Sequence, residues 1–486
     1  MTRAACRFLG LILFVVALSG CTGALKQANP RTMTFPPLSF EIPKSQRMEL
    51  ANGMVVYLLE DHELPLVSIT AYVNTGSIYD PPDKSGLASL TATVMRSGGS
   101  ESMTPDEMDS ELEFMASSVE AGISSDVGNV SMATLTKNLD RTLEIFAGVM
   151  TKPAFREERL NLAKKQTVEA LRRQNDNPKA IADRELRKAL YAGHPLGAYP
   201  TVDGIGTITR DDLAKFHRRF FSPNRTILAV AGDVKADELK ARLEKLFAGW
   251  NNTAEPLPKI PLPSEEVKPQ VLLAHKDVNQ SAIRIGHLGI DKDSPDLYAI
   301  RVMDYILGGG FTSRLTQEIR SNQGLAYNVE SHFDVGRRFV GTFVAQTETK
   351  SESTAKAITL MTGIIAGITK EPVSDQELDL AKNSIINAFI FGFAKPEAVV
   401  NQQARLEYYG YPKGYLENYR DNIAKVTRDD ILQAARKHLY PDKMVISVVG
   451  NDNAFDKPLS TFGRVTDIKL ENNGKSDKMK GGSAQK

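Results

Sequence analysis

Seven histidines are the first place to look for chemistry: His62, His194, His217, His275, His287, His332 and His438. No two lie within five residues of one another, and the two cysteines, Cys6 and Cys21, both fall near the start of the chain. A metal site written into a short motif needs ligands about one helical turn or one tight loop apart. A zinc site here would need distant segments to converge. His217 and His438 lie on repeat-equivalent helices and read as surface or packing residues. Neither a Gly-x-Ser-x-Gly nucleophile elbow nor a Gly-x-x-x-x-Gly-Lys phosphate loop occurs. Gly308-Gly309-Gly310 leaves two readings open: close approach of a peptide backbone, or a tight turn. Gly98-Gly99 reads as a turn.

Cys21 has a chemistry of its own. Arg3 and Arg7 precede the apolar run Phe8 to Leu18, which leads into Leu18-Ser19-Gly20-Cys21. The run is too short for a stable membrane anchor but suits a signal-peptide core. Small residues before a cysteine resemble a bacterial lipobox. Residues 1–20 are therefore expected to be a lipoprotein signal peptide, with Cys21 lipidated as the first mature residue. Thr22 in place of aspartate favours the outer membrane, so a lipid-anchored periplasmic protein is expected. Cys6 leaves with the signal, and no thiol pair remains for a disulfide. Removing Arg3 and Arg7 turns 60 basic against 59 acidic residues into 58 against 59, a near-neutral balance that argues against nucleic acid as a partner.

Positioning must come from a duplicated fold. Thr209-Arg210-Asp211-Asp212 returns as Thr427-Arg428-Asp429-Asp430, 218 positions on. The same offset pairs Leu160 with Leu378, Pro178 with Pro396, Tyr191 with Tyr409, Arg218 with Arg436 and Gly232 with Gly450. A register held that long implies two copies of one domain, and with 42% hydrophobic residues each can bury its own core. The expected layout is a tether over 21–45, a first domain over 46–250, a Pro-rich linker over 251–270, a second domain over 271–467 and a disordered polar tail over 468–486.

Within the first copy, Met48 to Leu50, the Asn52-Gly53 turn and Met54 to Leu59 predict a hairpin. Leu66 to Val73, Asn129 to Leu135 and Ile227 to Val230 predict strands. Helices are expected over Ser85 to Met95, Leu139 to Met150 and Glu157 to Arg173, with another opening at Pro178. Thr209 is expected to cap a helix running to Phe220. In the second copy, Val445 to Val449 is a strand. Thr312 to Ser321 reads as a helix stopped by Gly324, and Tyr327 as the start of a strand. Helices interleaved with hairpin-forming strands predict an α+β fold.

Three segments of the first copy carry a family resemblance: Gly76-Ser77-Ile78-Tyr79-Asp80, Gly86-Leu87-Ala88 and Ser97-Gly98-Gly99. So do Leu307-Gly308-Gly309-Gly310, Ser313-Arg314-Leu315 and Gly324-Leu325-Ala326-Tyr327 in the second. In this order they resemble the insulinase/pitrilysin zinc metallopeptidases, the inverzincins. The resemblance implies two homologous domains, each an antiparallel-rich sheet packed with helices, closing as a clam-shell around a cleft.

The departure from the family is as informative as the match. The family carries His-x-x-Glu-His on the helix after the Gly-x-Ala turn, where two histidines one turn apart bind zinc and the glutamate activates water. Those positions here are Ser89, Ala92 and Thr93, and the third ligand falls at Ala170. Glu169 is adjacent, but one helical step turns a side chain by about 100°. The resemblance thus implies no metal and no catalytic residue in this chain alone. What it retains is Arg320 and Tyr327, matching the family's substrate-binding arginine–tyrosine pair, with Gly308 and Gly309 as substrate-binding neighbours. The function implied is a non-catalytic subunit of a heteromeric peptidase degrading envelope peptides, paired with a homologous zinc-bearing subunit. The alternatives are a pseudopeptidase serving as a peptide-binding or structural component, and independent activity through a site not legible in the sequence.

Overall fold

Alternation in Leu66–Val73 turns Val67, Ile69, Ala71 and Val73 onto the core of the first domain, while Tyr72 is buried on the opposite face, so this segment becomes a central strand. The computed structural model describes residues 40–252 and 255–470. The signal, Cys21, most of the tether and residues 471–486 of the expected tail lie outside the described residues. Residues 468–470, which were expected to open that tail, are ordered instead: Ile468 donates its N–H to the Leu273 carbonyl at 2.7 Å, and Ile468 and Leu470 pack beside α5 and the second sheet. Both repeats belong to one compact unit that begins at Ile42.

The first domain runs β1 (Gln46–Glu49), β2 (Val55–Glu60), β3 (Leu66–Val73), α1 (Leu87–Ser97), α2 (Pro105–Phe114), β4 (Ser118–Ile123) and β5 (Gly128–Leu135). It continues through α3 (Leu139–Thr151), α4 (Glu157–Arg172), α5 (Pro178–Leu190), α6 (Val202–Thr207), α7 (Arg210–Phe220), β6 (Thr226–Gly232) and α8 (Ala236–Leu246). After a stretch without helix or strand, the second domain runs β7 (Gln270–His275), β8 (Gln280–Leu288), α9 (Leu297–Asp304), β9 (Val329–Phe333) and β10 (Thr342–Lys350). Then follow α10 (Thr354–Ile368), α11 (Asp375–Phe391), α12 (Pro396–Tyr408), α13 (Tyr415–Lys425), α14 (Arg428–His438), β11 (Val445–Gly450) and β12 (Val465–Asp467).

The sheets have the orders β1-β2-β6-β3-β5-β4 and β12-β7-β11-β8-β10-β9. Five strands therefore correspond one to one. The sixth differs: β1 forms an antiparallel hairpin with β2, whereas β12 arrives from the far end of the chain and lies parallel to β7. The repeated Thr-Arg-Asp-Asp is a capping box in both copies. Thr209 and Thr427 each accept from the N–H of the aspartate three residues on, and that carboxylate accepts from the threonine N–H. Gly232 ends β6 at φ +129, where a Cβ would lie 2.0 Å from the Leu66 carbonyl oxygen.

One face of each sheet packs on the helices of its own domain. The other face is covered by a helix of the other domain. Ile181, Ala182, Leu186 and Leu190 of α5 pack on Ala274, Ala282, Leu272, Val445 and Val449 of the second sheet. Val400 and Ala404 of α12 pack on Tyr72, Ala229 and Ala231 of the first. Small side chains at 229, 231, 274 and 282 let the helices lie close. Polar ties fix the exchange. Arg284, buried on β8, pairs with Asp183 of α5 at 2.5 Å and with Glu348 of β10 at 3.0 Å. Arg47 pairs with Glu407 of α12 at 2.8 Å, and the Tyr72 hydroxyl donates to Asn401 at 2.9 Å.

Candidate functional site

The helix that would carry the metal is well built. Asp80 accepts hydrogen bonds from the backbone N–H of Gly86 at 2.8 Å and of Ala88 at 2.9 Å, holding the first turn of α1. Burial pushes its carboxyl up to about 6, against the pull of these donors. α1 packs on β4 and α4. Ser89 and Thr93 lie on its exposed face, and Ala92 is buried. The Thr93 hydroxyl donates to the Ser89 carbonyl at 3.0 Å. Ala170 is an exposed methyl on α4, and Glu169 is engaged by Arg172 of the same helix. Zinc takes thiolate, imidazole or carboxylate, so two alcohols and two methyl groups do not fit it.

The histidines serve elsewhere. His217 is buried with Nε2 2.8 Å from the Met150 carbonyl oxygen, and burial lowers its imidazole to about 4. His287 is buried against Phe343 and Tyr440 and is likewise lowered to about 4. His438 lies 2.7 Å from Asp296, and His194 2.9 Å from the Pro261 carbonyl oxygen. His62 sits against Asp233, His275 against Asp452 and His332 against Glu330. Among the described residues, no three His, Cys, Asp or Glu side chains gather as a ligand set.

The second domain holds the other half of the expected machinery. α9 widens into a π-helical turn over Tyr305–Gly309, and a second π segment spans Thr316–Asn322. Such turns rotate side chains out of ordinary helical register and recur at functional sites. Gly324 ends this segment at φ +61. The Arg320 guanidinium lies 4.9 Å from the Tyr327 ring centre and 5.1 Å from that of Phe311. It is sandwiched between two rings that are 86% and 76% exposed, respectively. Two expectations change. Residues 316–322 are π-helical, and Tyr327 stands in the loop two residues before β9, not at the start of the strand. Neither residue matches the plain structural roles: Tyr327 is not core, and Arg320 packs on rings, not on helix-terminal carbonyls. Phe311 was missed; its signal was a lone aromatic directly after three glycines.

Gly308 corrects another expectation. It is buried, and a Cβ there would lie 2.2 Å from the Ser331 backbone nitrogen. Its close approach is to β9 and leaves no room for a peptide. Gly309 is exposed. A cavity of about 550 Å³ lies where α5 meets the β9–β10 loop, lined by Asp183, Arg187, Tyr191, Arg337 and Arg338. None of Ser89, Thr93, Arg320 or Tyr327 lines it.

With this geometry in view, comparison with known proteins is decisive for the family. Residues 55–201 match the model described as Insulinase (Peptidase family M16), and residues 207–385 match Peptidase M16 inactive domain. Together the matches take in more than half of the chain. The chain belongs to the M16 family. A peptidase M16 inactive domain from Pseudomonas fluorescens superposes with a TM-score of 0.77 at 28% identity, covering 84% of this chain and 98% of that one. The Non-peptidase homolog YmxG of Helicobacter pylori is 26% identical over 84% of this chain and 94% of its own length. The Uncharacterized zinc protease YmxG of Bacillus subtilis is 23% identical over 74% of this chain and 88% of its own. Family, α+β architecture and domain duplication agree with the motifs. The M16 scaffold at α1 is kept, capped by Asp80, while the side chains that would hold a metal are absent from it.

Proposed function

We propose that this M16 homologue is the non-catalytic subunit of a two-chain zinc peptidase of the bacterial envelope. The observation that carries this reading is the Arg320–Tyr327 pair, held ring to guanidinium at 4.9 Å on the surface of a chain whose α1 offers no zinc ligand. An arginine presents fixed N–H donors to a peptide carbonyl, and a tyrosine hydroxyl can donate to a developing oxyanion. Zinc and its general base would belong to a homologous partner. A lipid on Cys21 would hold the complex at the outer membrane. The non-peptidase name of the Helicobacter relative supports a chain that does not hydrolyse peptides alone.

The test mixes the chain with a homologue from the same cell bearing an intact His-x-x-Glu-His helix, using an unstructured peptide as substrate. Mixing should produce chelator-sensitive cleavage. Arg320→Ala should lower kcat/KM about 100-fold, the loss of one preorganised donor at roughly 3 kcal/mol. Tyr327→Phe should lower it without moving stability by more than about 0.5 kcal/mol, since the residue is exposed. Equal cleavage with both residues replaced removes their assigned role. Peptide binding without cleavage in any mixture supports the pseudopeptidase reading instead. Stoichiometric zinc and cleavage in the single chain would overturn both.

A further inference from the structure

We infer that a second pocket, where α12 meets the helices of the second domain, binds a small organic anion carrying a planar ring. The pocket has a volume of about 310 Å³ and draws Arg301 from α9, Arg337 from the β9–β10 loop and Arg405 from α12. Tyr411, Tyr415 and Tyr419 face the same space. No aspartate or glutamate lines it. Two other arginines of this domain are paired with carboxylates, Arg284 with Glu348 and Arg314 with Glu377, whereas Arg338 bonds to the Asn74 amide oxygen. Among the described residues, Arg301, Arg337 and Arg405 have no such ion pair. Two carboxylates act on the wall from outside it. Asp304 feels Arg301, and Asp126 accepts from the Tyr409 hydroxyl at 3.2 Å while feeling Arg337.

Three like charges with no carboxylate in the pocket wall repel one another, offset only from outside by Asp304 and Asp126, and an oxyanion between them relieves that cost. Guanidinium forks match the geometry of carboxylate and phosphate. The rings supply the rest of the complement. Phe389 stacks on Tyr419 at 4.9 Å, and Tyr411 meets Tyr415 edge-on at 4.7 Å, giving a flat aromatic ligand faces to pack on. Burial holds Tyr411 and Tyr419 above the ordinary phenol range, so both remain neutral hydroxyl donors. The volume is at the small end of ligand sites. Because α12 covers the first sheet while α9, α11 and α13 belong to the second domain, an occupant would also tie the two domains together.

Calorimetric titration of the full chain tests this with phenyl phosphate, 3-phenylpropanoate, inorganic phosphate and the neutral 3-phenylpropanamide, at constant ionic strength. At least one aromatic anion should bind, with the amide and inorganic phosphate at least tenfold weaker. The ratio between the two aromatic anions identifies phosphate or carboxylate as the preferred head group. Arg405→Gln should weaken binding at least tenfold. Absence of binding by both aromatic anions to the unaltered chain at millimolar concentration overturns the inference, whatever the variants do. So does an affinity unchanged in Arg301→Gln/Arg405→Gln, or one matched by the amide.

Discussion

The exchanged helices make a quantitative prediction. Ile181 on α5 is fully buried, in a cluster with Ala182 of its own helix, Ala274, Ala282 and Val449 of the second sheet, and Ile468 and Leu470 just beyond β12. Truncation to alanine removes three carbons, about 2.4 kcal/mol at 0.8 kcal/mol each, and the residual cavity raises the cost to about 3–4 kcal/mol. With an unfolding entropy of about 2.1 cal/mol/K per residue over 486 residues, the melting temperature should fall by about 3–4 °C. The informative quantity is which signals move. Trp250 is the only tryptophan and packs on Phe247 in the core of the first domain. Its fluorescence reports that domain, whereas circular dichroism reports the whole chain. Two domains joined only by a linker would unfold in separate steps. Here α5 is continuous with the first domain but covers the second sheet, so neither can open alone without exposing an apolar face. Ile181→Ala should therefore shift the Trp250 transition in urea by the same free energy as the dichroism transition. A Trp250 transition that stays in place while the dichroism curve splits would refute this reasoning.

Two further outcomes follow from local geometry. Gly308→Ala places a methyl 2.2 Å from the Ser331 nitrogen and should cost about 3 kcal/mol in urea unfolding, whereas exposed Gly309→Ala, 3.3 Å from its nearest neighbour, should cost under about 1. Buried His217 and His287, lowered to about 4, should remain neutral, so their imidazole NMR signals should not titrate between pH 7 and 5. Their stabilising contribution is complete above the ordinary histidine value of 6.5 and is lost as pH falls toward 4, up to about 3 kcal/mol each. Asp80 and Asp304, raised to about 6, act in the opposite sense: their contribution is complete below 3.8 and is lost as pH rises through 6. A signal assigned to His217 or His287 that titrates near 6.5 would contradict the burial argument.

Much of the local structure was legible because it is written in short-range pattern. Alternation marked Leu66–Val73, and the paired Thr-Arg-Asp-Asp marked two helix starts because a capping box needs only residues three apart. Ile227 to Val230 read as a strand stopping at Gly232; the structure runs it from Thr226 to Gly232, buried at all but the partly exposed Ile227 and Gly232. The candidate site was legible in what it lacks at Ser89, Ala92 and Thr93, since a helix face is a matter of spacing. The π turns were not legible: one extra residue per turn leaves no mark on apolar periodicity. Phe311 was invisible as a partner of Arg320 because nine residues and a changed helical pitch separate them.

Sequence by itself determined the duplication, most strands of the first sheet and β11 of the second, the repeated Thr-Arg-Asp-Asp helix start, and the absence of metal-binding side chains on α1. Tertiary structure alone decided that α5 and α12 cross to each other's sheets, that Gly308 serves packing, and that Arg320 rests between two exposed rings. An amphipathic helix states only that one face must be buried. Which sheet buries it depends on the shape of a partner surface more than a hundred residues away, and no local pattern encodes that shape.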